Sequence, residues 1–229
     1  MRKKIDAIAF DIDGTLYSNW ALYRRLVFFA LKNVHLLVSF GKVRREIRYW
    51  QLEYPGEAHP DFFAWQGELL APYLKCTPKQ ASEILRKKIY EGWRPVFRKV
   101  KPFPHVKEAF QAFKDSGLKI GLLSDFRPDQ KESLWGLEPY CDVILGAELI
   151  GALKPSPVPF IELADSLCIK PERILYVGNS YTSDVEGAAG IGMKTALKTS
   201  HGSHSLAKKS LQPDISFSNY RQLIRNVLE

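Results

Sequence analysis

Two rhythms of apolar and polar positions divide the chain. Ile5 to Phe10 is a short apolar run, read as a buried strand that ends at Asp11. From about Ser18 to Lys99 the spacing becomes helical. Ser18 or Asn19 caps a helix through Leu22, Leu26, Phe29 and Ala30, and a second helix carries Val43, Ile47 and Trp50. The turn-rich stretch Glu53 to Pro60 breaks the pattern, and Phe62, Trp65, Leu69 and Leu70 resume it. Thr77-Pro78-Lys79-Gln80 is a start signal: Thr as N-cap, Pro at the first helical position, Gln completing a capping box. That helix runs through Ile84, Leu85 and Ile89 and stops near Gly92.

Beyond Lys101-Pro102-Phe103-Pro104, helices and apolar strands alternate. A helix from about Val106 to Ser116 ends at Gly117, a suitable residue for the left-handed exit. Strands follow at Lys119 to Leu123, Asp142 to Leu145, Ile174 to Val177 and Thr195 to Leu197, with Ile215 to Phe217 as an edge strand. Helices at Ser156 to Leu167, Ser183 to Ala189 and Tyr220 to Leu228 separate or close them. Strands joined by helical crossovers predict an α/β fold with a doubly wound parallel sheet. The expected division is a sheet core, residues 1–17 and 100–229, and an all-helical insertion, 18–99. Tyr17 to Asn19 and Lys99 to Pro104 are the expected hinges, so the insertion can close over the carboxyl edge of the sheet.

Composition narrows the partners. The 229 residues carry a formal net charge of +8, which favours phosphorylated metabolites, nucleic acid or a membrane surface. The basic runs Arg24-Arg25, Arg44-Arg45, Arg86-Lys87-Lys88 and Lys208-Lys209 are too short to act as nucleic-acid tails and read as solvated helix faces. Cys76, Cys141 and Cys168 are scattered without CxxC spacing and read as reduced thiols. The basic start Met1-Arg2-Lys3-Lys4 is followed by Asp6, Asp11 and Asp13, which argues against a secretory leader. Leu26 to Phe40, the most apolar stretch, is interrupted by Lys32, Asn33 and His35 and is too short and polar to span a bilayer. It is expected as a buried helix, in a cytoplasmic protein with neither membrane nor nucleic-acid partner, monomeric or homodimeric.

The chemistry concentrates in Phe10-Asp11-Ile12-Asp13-Gly14-Thr15-Leu16. Side chains at i and i+2 leave a strand on the same side, and ligands of open α/β sheets sit at the carboxyl ends of the strands. Asp11 and Asp13 therefore lean over one small volume, with the Thr15 hydroxyl beside them. Two acids there suit a magnesium site, or a nucleophile paired with an acid/base. Three further junctions point to the same edge: Ser124-Asp125 after a strand, Lys154 between Leu153 and Pro155, and Gly178-Asn179-Ser180-Tyr181-Thr182-Ser183-Asp184. Taken singly, Ser124 also fits a helix N-cap, Lys154 a solvated loop residue and Asp184 a helix-dipole partner.

In this order the four motifs strongly resemble the haloacid dehalogenase superfamily of phosphohydrolases, and the insertion resembles its first type of helical cap. The resemblance implies that Asp11 is the nucleophile, forming an aspartyl-phosphate, and that Asp13 protonates the leaving oxygen and then activates water. It implies phosphate binding by Thr15, Ser124, Asp125 and Lys154, with Lys154 also offsetting charge in catalysis. Mg²⁺ would lie among the Asp11 carboxylate, the Asp13 carbonyl, Asn179 and Asp184. Asn179 departs from the pattern, because an acid usually stands there; its amide oxygen can ligate a hard cation, though without charge. The implied activity is magnesium-dependent hydrolysis of a small phosphorylated metabolite. A phosphomutase would use the same core. A 2-haloacid dehalogenase resembles the chain in its nucleophile but lacks the second acid, Asp13. A degenerate binding protein is supported only by Asn179 and the basic balance. In the insertion, Arg24, Arg44, Arg48, Tyr49 and Trp50 are the candidates for touching an anionic substrate.

Overall fold

Strand β1 (Ala7–Phe10) is buried at every position in the computed structural model, which describes residues 5–131, 134–199 and 210–229. The basic start Met1–Lys4 and the Lys208-Lys209 pair lie outside the described residues. β1 is joined by β2 (Lys119–Ser124), β3 (Val143–Gly146), β4 (Ile174–Gly178), β5 (Lys194–Lys198) and β6 (Ile215–Phe217). The six strands form one sheet in the order β3-β2-β1-β4-β5-β6, and every pairing is parallel. The chain moves outward from β1 to β3 and then returns to β4 on the other side of β1. That reversal makes the carboxyl end of β1 and β4 the switch point where such sheets open a crevice.

Alternation along β1 supplies both layers of core. Ile8 and Phe10 face one side, with Phe110, Phe113 and Tyr220. Ala7 and Ala9 face the other, with Leu123, Phe160 and Tyr176. Phe10 stacks on Phe110 with ring centroids 4.8 Å apart, a geometry worth about 1 kcal/mol beyond area burial.

Between β1 and β2 the chain forms α1 (Asn19–Lys32), α2 (Val34–Glu53), α3 (Phe62–Leu74), α4 (Pro78–Leu85) and α5 (Arg94–Phe97). The capping box expected at Thr77 is present: Gln80 N–H donates to the Thr77 hydroxyl, and Thr77 N–H to the Gln80 side chain at 2.9 Å. The two connections to the sheet run side by side, Tyr17 bridging Pro102 and Phe103 N–H donating to Leu16 O at 2.8 Å. These helices hold a third apolar cluster that includes Phe40, Ile47, Leu70 and Ile89 and reaches Leu153 of the sheet side.

The buried helix expected at Leu26 to Phe40 is not formed as one element. The chain breaks at Asn33, and α1 and α2 meet at a bend of 114°. Leu26, Leu36 and Phe40 turn inward, while Val27, Phe28, Leu31, Val34 and Val38 are exposed. An all-round apolar helix is buried only where neighbours cover both sides, and here one side alone is packed. No single helix among the described residues is long and apolar enough to cross a membrane.

On the sheet side follow α6 (Val106–Asp115), α7 (Ala147–Ile150) and α8 (Pro157–Leu167), then α9 (Gly187–Gly190) and α10 (Tyr220–Leu228). The helical turn after β4 starts at Tyr181, two residues earlier than the sequence pattern indicates, because Ser180 acts as its N-cap and accepts from Ser183 N–H at 3.1 Å.

Candidate active site

β1 delivers Asp11 directly to the switch point, where its N–H donates to Val177 O of β4 at 2.9 Å. The Asp11 carboxylate accepts from Lys154 Nζ at 2.8 Å and from the Thr15 hydroxyl at 2.8 Å. The chain turns away at Gly14, with φ +92°; a Cβ there would lie 2.5 Å from the Asn179 and Asn19 side-chain nitrogens. Glycine at 14 therefore serves both the turn and the close approach of the β4 loop.

Lys154 bridges two carboxylates, reaching Asp184 Oδ1 at 2.6 Å as well as Asp11, with Tyr176 Oη at 3.1 Å. The other Asp184 oxygen accepts from the N–H groups of Asn179 (3.1 Å) and Ser180 (2.9 Å), so Asp184 shapes the loop that presents Asn179. Gly178 is required here, since any side chain would overlap Asp184. Asn179 Oδ1 lies 3.1 Å from the Thr15 hydroxyl that also donates to Asp11. One anionic and one neutral oxygen thus converge on the same point.

Burial pushes the Asp11 carboxyl up, Lys154 pulls it back, and the charges of Asp184 and Asp13 add to the rise; the balance stands at about 7. Burial also disfavours the Lys154 ammonium, but Asp11 and Asp184 outweigh it and hold its pKa well above the usual lysine value.

Asp13 occupies a separate pocket of partners. One oxygen accepts from Tyr17 Oη; the other accepts from Ser124 Oγ at 2.7 Å and pairs with Lys131 Nζ at 2.9 Å. Burial would raise the Asp13 carboxyl, but the Lys131 charge and the hydrogen bonds from Tyr17, Lys131 and Ser124 hold it below the ordinary carboxylate value. Ser124 Oγ also accepts from Phe126 N–H at 3.2 Å.

A family model described as haloacid dehalogenase-like hydrolase matches residues 5–192, which spans β1 through the loop after α9. The chain belongs to this family, on its phosphatase branch. A glyceraldehyde 3-phosphate phosphatase of Methanopyrus kandleri is 31% identical, over 83% of this chain and 82% of that protein. A phosphoglycolate phosphatase of Salmonella choleraesuis is 27% identical over 97% of this chain and 92% of its own length. An L-2-haloacid dehalogenase structure from Xanthobacter autotrophicus superimposes with a TM-score of 0.68 at 18% identity, covering 98% of each chain. At that identity the likeness shows the shared fold. Within the haloacid dehalogenase-like hydrolases the chain is a phosphoric monoester hydrolase.

The sequence-derived candidates Asp11, Asp13, Thr15, Ser124, Lys154, Asn179 and Asp184 meet at one edge, linked through the hydrogen bonds above. The Asp125 carboxylate has partners of its own: Oδ1 accepts from Lys154 N–H at 3.0 Å, and Oδ2 pairs with Arg48 at 2.7 Å and Arg44 at 3.9 Å. Burial opposes its charge, but Arg48, Lys154 and Arg44 hold it below the usual value. Arg48 Nε also donates to Lys154 O at 2.9 Å, and α2 adds a reciprocal pair between Gln51 and the Leu153 backbone, at 2.8 and 3.2 Å. Arg44 is buried against Glu148, which accepts from Tyr90 Oη at 2.8 Å. Of the other insertion candidates, Arg24 lies over the Trp20 ring, Tyr49 is exposed, and Trp50 packs on Trp65 and Tyr54.

Lys131, Tyr17 and Tyr176 were not singled out by sequence reasoning. Lys131 has a fully buried side chain beneath the Phe97 and Phe126 rings, although its surroundings in sequence read as an ordinary polar turn. Its only sequence cue is the turn that follows a site strand.

Proposed function

We propose that this hydrolase is a magnesium-dependent phosphatase of a small phosphorylated metabolite, acting through an aspartyl-phosphate. The observation that carries the reading is Asp11: a strand-end carboxylate held by Lys154 and Thr15, with a second acid, Asp13, held apart in its own hydrogen-bonded pocket. Asp11 attacks phosphorus, and its carboxylate–phosphorus bond replaces the ester bond. Asp13 gives a proton to the departing oxygen and later takes one from the attacking water. A phosphate dianion arriving beside Asp13 raises its pKa, which supplies the protonated form for the first half of the reaction. Lys154 and the Ser124 hydroxyl are the groups that hold the phosphoryl oxygens.

The site fits a hard cation. Three carboxylates, Asp11, Asp13 and Asp184, face two ammonium groups, Lys131 and Lys154, which leaves one negative charge without a counterion. The described residues contain no cluster of three or more His, Cys, Asp or Glu side chains placed to hold a metal. An ion here would be held by Asp11, Asn179, Asp184 and the main-chain oxygen of Asp13, a sparse oxygen set of the kind magnesium completes with water and substrate phosphate. When bound, the ion offsets the repulsion between the Asp11 carboxylate and the phosphate dianion.

The small-metabolite reading rests on the relatives named glyceraldehyde 3-phosphate and phosphoglycolate phosphatase, and on the insertion, which we read as a cap formed by residues 18–99. Arg44, Arg48 and Gln51 of this cap sit directly against the Asp125 and Leu153–Lys154 side of the site. The test is hydrolysis of p-nitrophenyl phosphate with and without magnesium, in the wild type and in Asp11→Asn. Activity that requires magnesium and disappears in a folded Asp11→Asn supports the assignment; full activity in that variant sinks it.

A further inference from the structure

The outer face of α1 and the first half of α2 has the wrong character for a solvated surface. Trp20, Tyr23, Phe28, Leu31, Val34 and Val38 are 68, 61, 78, 70, 56 and 54% exposed. On α1 their spacing is that of one helix face, opposite the buried Leu22 and Leu26. Side chains on the outward face of a surface helix are ordinarily charged or polar. Here the charged residues beside the apolar ones are Arg24, Lys32, Lys42 and Arg45, all exposed and all basic. From Gly14 to Arg45 the chain contains no Asp or Glu at all.

We infer that this face is a docking surface for an anionic lipid membrane, on which the α1–α2 pair lies without crossing. Bulky apolar and aromatic side chains enter the headgroup boundary while cations of a single sign meet the lipid phosphates. Trp20 and Tyr23 are the residue types that settle at headgroup level, and the Arg24 guanidinium lies 4.9 Å from the Trp20 ring centroid. No single helix among the described residues is long and apolar enough to cross a membrane, and the bend of 114° with the polar break at Asn33 and His35 suits a pair lying in the interface. A second copy of the chain is the poorer occupant. A two-fold axis would set the face against itself, apposing the cations of a stretch that holds no acid from Gly14 to Arg45. The charge of the face therefore selects an anionic surface, and the inference does not depend on the reaction assigned above.

The test is co-sedimentation of the full chain with vesicles of phosphatidylcholine alone or phosphatidylcholine mixed with phosphatidylglycerol, across a salt series. Binding to the anionic vesicles, weakened by salt and much lower on phosphatidylcholine alone, is expected. Phe28→Ser with Leu31→Ser should lower the partition coefficient at least tenfold, and Lys32→Gln should lower it by about fivefold. These side chains project outward, so the thermal midpoint should not move. Absence of binding to both vesicle types overturns the inference. So does vesicle binding that the variants leave unchanged, or a dimer in sedimentation velocity that Phe28→Ser converts to monomer.

Discussion

The contact between α2 and the site loops can be weighed by a double-mutant cycle on Arg48 and Asp125. Their ion pair is 2.7 Å long; the Arg48 side chain is 34% exposed and the Asp125 side chain 17%. At a charge separation of about 4 Å the attraction is about 4 kcal/mol at an effective dielectric of about 20, and about 1 kcal/mol in bulk water. The partial exposure of Arg48 places the pair between these limits, at about 2 kcal/mol. Arg48→Met keeps the apolar stem. Asp125→Asn keeps the shape and the acceptor for Lys154 N–H, so each substitution removes charge with little change in packing. Each single variant should lose about 2–3 kcal/mol, because the remaining charge is stranded in a partly buried setting. The double variant should recover a coupling of about 2 kcal/mol. Urea unfolding followed by far-UV circular dichroism and tryptophan fluorescence together supplies the four free energies. A coupling below about 0.5 kcal/mol, the level of an ordinary surface pair, would refute the reasoning that partial burial strengthens this contact.

Two further outcomes follow from the site. Lys131→Met removes the cation that holds Asp13 below its ordinary pKa; the Asp13 carboxyl then rises, and the alkaline limb of the pH–rate profile, on which Asp13 must stay protonated to serve the leaving oxygen, should move to higher pH. An unchanged pH–rate profile would show that Lys131 is only packing. Asn179→Asp adds a charge to the proposed metal ligands and should lower the magnesium concentration for half-maximal activity by about tenfold, whereas Asp184→Asn should raise it sharply or abolish turnover. An unmoved midpoint in Asn179→Asp would remove residue 179 from the metal shell.

What the sequence disclosed was set by how local each signal is. The strands announce themselves as short apolar runs, and the Thr77 capping box is complete within four residues, so both could be read without the fold. Asp11, Ser124, Lys154 and Asp184 were legible because each stands where an element begins or ends, and parallel strands bring such ends to one edge. Lys131 was not, because its burial depends on Phe97 and Phe126, which only the folded chain brings over it. The partners of the Asp125 carboxylate were hidden for the same reason: Arg44 and Arg48 come from a helix distant in sequence. The α1 face shows a third limit. Periodicity identifies two apolar sides of a helix, but which of them is covered is a property of the neighbours.

The position of β1 in the middle of the sheet governs the order in which the molecule assembles. Ala7 pairs with Lys119 on one side and with Ile174 on the other. At ribosomal speeds β1 therefore waits roughly ten to thirty seconds after its own synthesis before β4 emerges. The inserted helices, whose contacts are mostly short in sequence, can form during that interval, since local contacts fold fastest. A nascent chain stopped before Ile174 has an open edge on β1 and no Val177 carbonyl to receive the Asp11 N–H. The β1–β4 pairing that completes this edge needs the chain beyond Ile174, so a chain truncated before that point should show helical signal without activity.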